Sequence, residues 1–163
     1  MKEQRTTNIE HRTLNYGEPK ASSKPKTSSA GRVFDLEDRL LEFASVIIDI
    51  SEDMPKTRAG NHVAGQLLRS GTSPYSNHGE AESAESSDDF IHKMKICLKE
   101  LRETRRWLKL IHQKSWLGAR PEMQFALSEA EELIRIFVAS IRTAKRNSGR
   151  ASASFGFPQG RLR

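Results

Sequence analysis

Seven positions in one stretch, Phe90, Met94, Cys97, Leu101, Thr104, Leu108 and Ile111, alternate spacings of four and three residues, and this seam restricts the fold more than any other feature of the chain. It returns to one side of an α-helix at every turn and makes no sense for a strand, whose side chains alternate with period two. Ser86 or Ser87 supplies an N-cap just ahead of it, with Asp88 and Asp89 in the first turn, where carboxylates complement the helix dipole. Gly118 marks the stop.

Three other stretches repeat the signature. A first helix is predicted from Asp35 to about Met54, with Asp35 and Asp38 as an acidic cap and Leu36, Leu40, Phe43, Ile47 and Ile50 as the seam. Leu41, Ala44 and Ile48 widen its apolar face, which predicts contact with two neighbours. Met54-Pro55 ends it, because a residue before proline is pushed out of the helical region. A second helix is predicted to begin between Thr57 and Gly60 and to continue toward Ser86, although Gly71, Pro74 and Gly79 all weaken it. The chain either breaks at Ser73-Pro74 or forms one long kinked helix. Ala64, Leu67, Leu68, Ala81 and Ala84 keep helical spacing across the proline and favour the kinked helix. In a fourth helix, opened by Arg120-Pro121-Glu122, the seam is Met123, Leu127, Ala130, Ile134, Phe137, Ile141 and Ala144. Four amphipathic helices with short links predict an all-α fold, an antiparallel up-down four-helix bundle over residues 34–145.

The flanks have a different composition. Residues 1–33 mix Pro, Ser, Lys and Gly with few large apolar side chains, and residues 146–163 are similar apart from Phe155 and Phe157, which suit a short docking peptide. Both read as disordered basic tails, unable to bury enough surface to offset the entropy of ordering. Charge follows the same division: seven Lys/Arg against three Glu in residues 1–33, five Lys/Arg and no acid in residues 145–163, and 15 basic against 18 acidic residues between them. The bundle is therefore not a uniformly basic nucleic-acid domain. Its tails either gain salt-sensitive affinity for phosphate backbones or serve only solubility.

Chemistry leaves few marks. The single cysteine, Cys97, excludes an intrachain disulfide, fits a reducing cytoplasm, and sits on a seam where it reads as a small core residue rather than a nucleophile. Neither a signal-like apolar run near the start nor an 18-residue apolar stretch is present, so no membrane partner is expected. None of the five histidines stands at a known metal spacing, no phosphate-binding glycine loop occurs, and Ser73 has no base named beside it. The expectation is a non-enzymatic protein without metal, cofactor or small-molecule substrate; a hydrolase using Ser73 or Glu80 is the weakest reading.

Two groups of side chains remain as candidates. Lys95, Lys99, Arg102, Arg106 and Lys109 stand roughly opposite the seam of the third helix without an acid in the same stripe. They suit RNA, DNA or another polyanion, or are simply the solvated face every bundle helix needs. Arg69, Ser73, Ser76 and Glu80 fall on one face, within about 60° of each other, on a continuous second helix. Glu80 and Glu103 lie at packing boundaries, where a carboxylate needs a donor; Arg69 is the natural partner, with Asn77 and Thr104 placed to bridge. They form either a polar layer that fixes helix register or a subunit interface, or they are exposed glutamates with no such role.

At these residues a family pattern emerges. QLLRSGTSPYSNHGEA, then a Ser/Asp corner, DFIHKMKICLKELRET and WLKLI resemble the 23S rRNA intervening-sequence proteins, bacterial proteins commonly encoded within insertions in ribosomal RNA genes. The resemblance spans roughly Phe34 to Thr143 and rests on Leu67, Leu68, Arg69, Thr72, Ser73, Asn77, Glu80, Ala81, Phe90, Lys93, Leu98, Glu103, Thr104, Trp107 and Leu108 taken together. It implies an up-down four-helix bundle assembled as a ring-like homopentamer, with no known catalytic activity. A similar fold occurs in the accessory proteins of diversity-generating retroelements, basic pentameric barrels that bind nucleic acid and a reverse transcriptase, although the bundle here is less basic. Pro74 directly after Thr72-Ser73 departs from the family pattern, where an aliphatic residue is more usual. A pentamer would bury the surplus apolar surface of the first helix and repeat the basic stripes and tails five times, turning weak phosphate affinity into avidity.

Overall fold

The computed structural model describes residues 36–154, and side chains as far as residue 150. Four helices make up the fold: α1 Leu36–Glu52, α2 Arg58–Glu82, α3 Ser87–Gln113 and α4 Pro121–Ser154. No strand occurs among the described residues. Asp35, and the proposed arm of residues 1–33, lie outside the described residues.

Each helix packs on its sequence neighbours, and α4 closes back on α1. The α2–α3 and α1–α4 pairs run antiparallel. From Ser70–Thr104 to Pro74–Cys97 to Glu80–Lys93, contacts advance along α2 as they retreat along α3. Asp53, just past the end of α1, pairs with Arg120, just before α4, while Arg39 near the start of α1 reaches Glu129 at 2.7 Å. This is the up-down arrangement that the short connections predict.

The seams face one core, with systematic shifts. On α1, Leu40, Phe43, Ile47 and Ile50 are buried as predicted. On α3 the buried set opens with Ile91 rather than Phe90, which is only half-buried, and includes Leu98. On α4, Ala126 and Leu133 are fully buried while Leu127 and Ile134 only flank the core. A straight helix drifts by about 20° per heptad against a strict four-three repeat, so over several heptads the buried position slips to an adjacent residue.

Local chemistry sets the boundaries. Thr57 caps α2 by accepting from the Gly60 amide at 3.0 Å, and Ser86 caps α3 by accepting from the Asp89 amide at 3.1 Å. Because Ser86 is taken by α3, α2 ends at Glu82, short of the predicted Ser86. Of the two readings at Pro74, α2 is continuous, not broken. Pro74 is itself fully buried, and its carbonyl accepts from the Cys97 thiol at 3.7 Å. One turn earlier Gly71 lets α1 and α2 approach closely, since a Cβ there would stand 2.5 Å from Ile47 Cγ2. The largest boundary difference is in α4, which runs to Ser154, well past the Lys145 at which the sequence reading ends the bundle. Residues 155–163 of the proposed tail lie outside the described residues.

Candidate nucleic-acid interface

The polar residues of α2 and α3 meet along the outer seam between those helices, in pairs that only partly match the sequence expectation. Arg69 does reach Glu103, at 3.5 Å, and its guanidinium also donates to Gln66 Oε1 at 3.1 Å. Glu103 accepts a second bond from Trp107 Nε1 at 3.3 Å, and the Trp107 ring meets His62 edge-on. Glu80, however, is not a partner of Arg69. More than two turns further along α2, it accepts from Lys93 of α3 at 3.0 Å, and that hydrogen bond raises the Lys93 ammonium above its ordinary pKa. Asn77 does not bridge the helices either: its amide donates to Ser73 Oγ at 2.8 Å and to the Ser73 carbonyl at 2.9 Å, within α2. The hydroxyl of Ser73 is thus held by an amide, which cannot accept its proton as a catalytic base would.

Thr104 belongs to the core rather than to this rim. Its hydroxyl stands 3.0 Å from Ser70 Oγ and 2.9 Å from the Glu100 carbonyl, and both hydroxyl-bearing residues are fully buried. Sequence reasoning missed Ser70; its spacing of three from Leu67 was the available signal. Burial pushes the Cys97 thiol up to about 12, so it stays protonated and unreactive at neutral pH. Among the described residues, no group of three or more His, Cys, Asp or Glu is placed to hold a metal ion, and no helix is long and apolar enough to cross a membrane.

The basic stripe is where the helical spacing puts it. Lys95, Lys99, Arg102, Arg106 and Lys109 are all exposed on α3. Lys99 lies 3.6 Å from Glu100 of its own helix, and Lys109 lies 3.8 Å from Glu131 of α4, which also draws in Arg105 at 3.9 Å. Lys95, Arg102 and Arg106 have no ion pair among the described residues. A row of exposed cations, three of them without an ion pair among the described residues, suits an extended polyanion better than a small one.

A profile of the 23S rRNA-intervening sequence protein family matches residues 35–139. A protein of unknown function from the S23 ribosomal protein family of Bacteroides thetaiotaomicron VPI-5482, known from a crystal structure, is 33% identical, with a TM-score of 0.59 over 64% of this chain and 96% of that one. No curated protein matches. The profile runs from the start of α1 deep into α4, and the similar crystal structure is covered almost end to end; the chain belongs to the 23S rRNA-intervening sequence protein family.

Proposed function

We propose that this protein is a non-enzymatic, self-assembling four-helix bundle of the cytoplasm, a homopentamer as the family resemblance implies, that binds RNA or an RNA-containing nucleoprotein through the exposed face of α3. The observation that carries the reading is the row Lys95, Lys99, Arg102, Arg106 and Lys109, of which Lys95, Arg102 and Arg106 face solvent without an ion-pair partner among the described residues. Repetition around a ring would convert several weak phosphate contacts into avidity.

The test is binding of the full chain to a fragment of 23S rRNA, followed by fluorescence anisotropy over a salt series. Affinity should fall steeply as salt rises, and K99Q/R102Q/R106Q should lower the log–log salt slope by about 2–3. Absence of binding at low salt would overturn the reading.

A second reading from another class, assembly without nucleic acid, is favoured by Leu41 and Ile48, which remain 47% and 44% exposed. Seven residues apart, they point within about 20° of each other from α1. A stable oligomer that ignores RNA at every salt concentration would establish this reading instead.

A further inference from the structure

The cations of α3 continue onto α4, and the register of the two helices shows where. Glu131 of α4 lies 3.9 Å from Arg105 and 3.8 Å from Lys109, which fixes one level of the antiparallel pair. At 1.5 Å per residue, Arg142 stands about 16 Å along α4 from Glu131, and Lys95 stands about 15 Å back along α3 from Arg105, in the same direction in space. Arg142 and Lys95 are therefore level. Eleven residues turn a helix through about three revolutions, so Arg142 leaves α4 within about 20° of the direction in which Glu131 meets the α3 cations. Lys145 and Arg146 follow one turn on.

Charge on this ridge is uneven. At the end near the α3–α4 connection, Glu131 draws in Arg105 and Lys109, and Glu132 is hydrogen-bonded to Arg135, which holds the Glu132 carboxyl below its usual range. Glu132 is the last acid of the chain, so α4 beyond it carries only positive charge. Arg142 and Lys145 are exposed without an ion pair among the described residues, and Arg146 reaches only Thr143 Oγ1, at 3.4 Å. On the facing part of α3, Glu100 is taken by Lys99, and Asp88 lies in the first turn, at the far limit of the patch. These turns of α4 have little packing to do: residues 145–150 are exposed except for Ser148, which is half-buried.

We infer that the RNA-binding face is the ridge formed by Lys95, Lys99 and Arg102 of α3 with Arg142, Lys145 and Arg146 of α4, and that Lys109 is outside it. The helix axes are about 8–10 Å apart, so the two rows of flexible cations form a double track along which a phosphate backbone can lie. The ligand chemistry is the sugar–phosphate backbone of RNA, recognised without base readout. This inference rests on the RNA-binding reading above and narrows it to one end of the bundle.

The experiment uses the full chain and a short fluorescent RNA duplex over a salt series, comparing wild type with R142Q/K145Q/R146Q, K95Q/K99Q/R102Q and K109Q. Circular dichroism and thermal melting check that the exposed substitutions leave the fold intact. Each triple variant should weaken binding at least tenfold at low salt and lower the log–log slope by about 2–3, while K109Q stays within twofold of wild type. If wild type binds and the α3 triple weakens it while the α4 triple does not, this inference is overturned and the α3 reading stands. If Lys109→Gln weakens binding as much as either triple, the placement at this end of the bundle is overturned. If wild type fails to bind, both readings fall together.

Discussion

Gly71 is the residue on which the α1–α2 contact turns. A methyl group there would overlap the Ile47 side chain, with Cγ2 at 2.5 Å and Cγ1 at 2.9 Å, and two packed helices cannot separate locally without disturbing the core around them. Gly71→Ala should therefore destabilise the bundle by about 1–3 kcal/mol in urea titrations despite its better helix propensity. Pairing it with Ile47→Ala should cost less than the sum of the two single changes; strict additivity would show that the close approach is not the cause. Ser70 and Thr104 behave as another unit. Thr104→Val leaves the buried Ser70 hydroxyl only its long bond to the Leu67 carbonyl, at 3.4 Å, and should cost about 1–3 kcal/mol, whereas S70A/T104V should recover part of that loss. The Cys97 thiol provides a pH signature. Its folded pKa of about 12 exceeds the ordinary 9.0, so the unfolded chain gives up this proton first. Its contribution to stability is intact below pH 9.0 and is lost as pH rises toward 12. Native protein should resist a thiol reagent at pH 8 that labels the urea-unfolded chain rapidly; equal labelling rates would contradict the burial.

At the scale of the helix, the caps show how far local sequence reaches. Thr57 and Ser86 each satisfy an amide that the first helical turn leaves free, so Thr57→Ala and Ser86→Ala should each cost about 1 kcal/mol, read as a lowered urea midpoint with unchanged m-value. Four helices, their order and most of their ends were legible because seams, caps and Pro/Gly stops are short-range signals. The helix ends that shifted did so through competition: Ser86 caps α3 and so terminates α2 early, and α4 extends through residues whose polar composition had suggested a tail. Phe90 gave way to Ile91, and Leu127 and Ile134 to Ala126 and Leu133, because an exact four-three repeat is not the pitch of a straight helix. The candidate site was legible to a similar degree. The basic face of α3 follows from spacing alone, but Glu131 comes to it from another helix, and no local pattern announces it.

For the whole molecule, the surface left apolar is the place to look for assembly. Leu41 and Ile48 on α1 stay uncovered while their neighbour Ala44 is buried, so the widened apolar face predicted for α1 is only partly used within one chain. On the proposed self-assembly, L41E/I48E should leave the helical circular dichroism signal unchanged and reduce the mass measured by light scattering to that of the single chain. An unchanged oligomer would place the interface elsewhere.

The sequence by itself determined that the chain forms four amphipathic helices joined by short links, that its cysteine lies on an apolar seam, and that α3 carries a basic stripe, because each follows from periodicity, capping and composition along short stretches of chain. Only the tertiary structure decided that Arg69 pairs with Glu103 while Glu80 pairs with Lys93, that Gly71 admits Ile47, and that Glu131 of α4 meets Arg105 and Lys109 of α3. Those facts depend on the register between antiparallel helices, which is set by how whole side-chain surfaces interlock and is not written in any one segment.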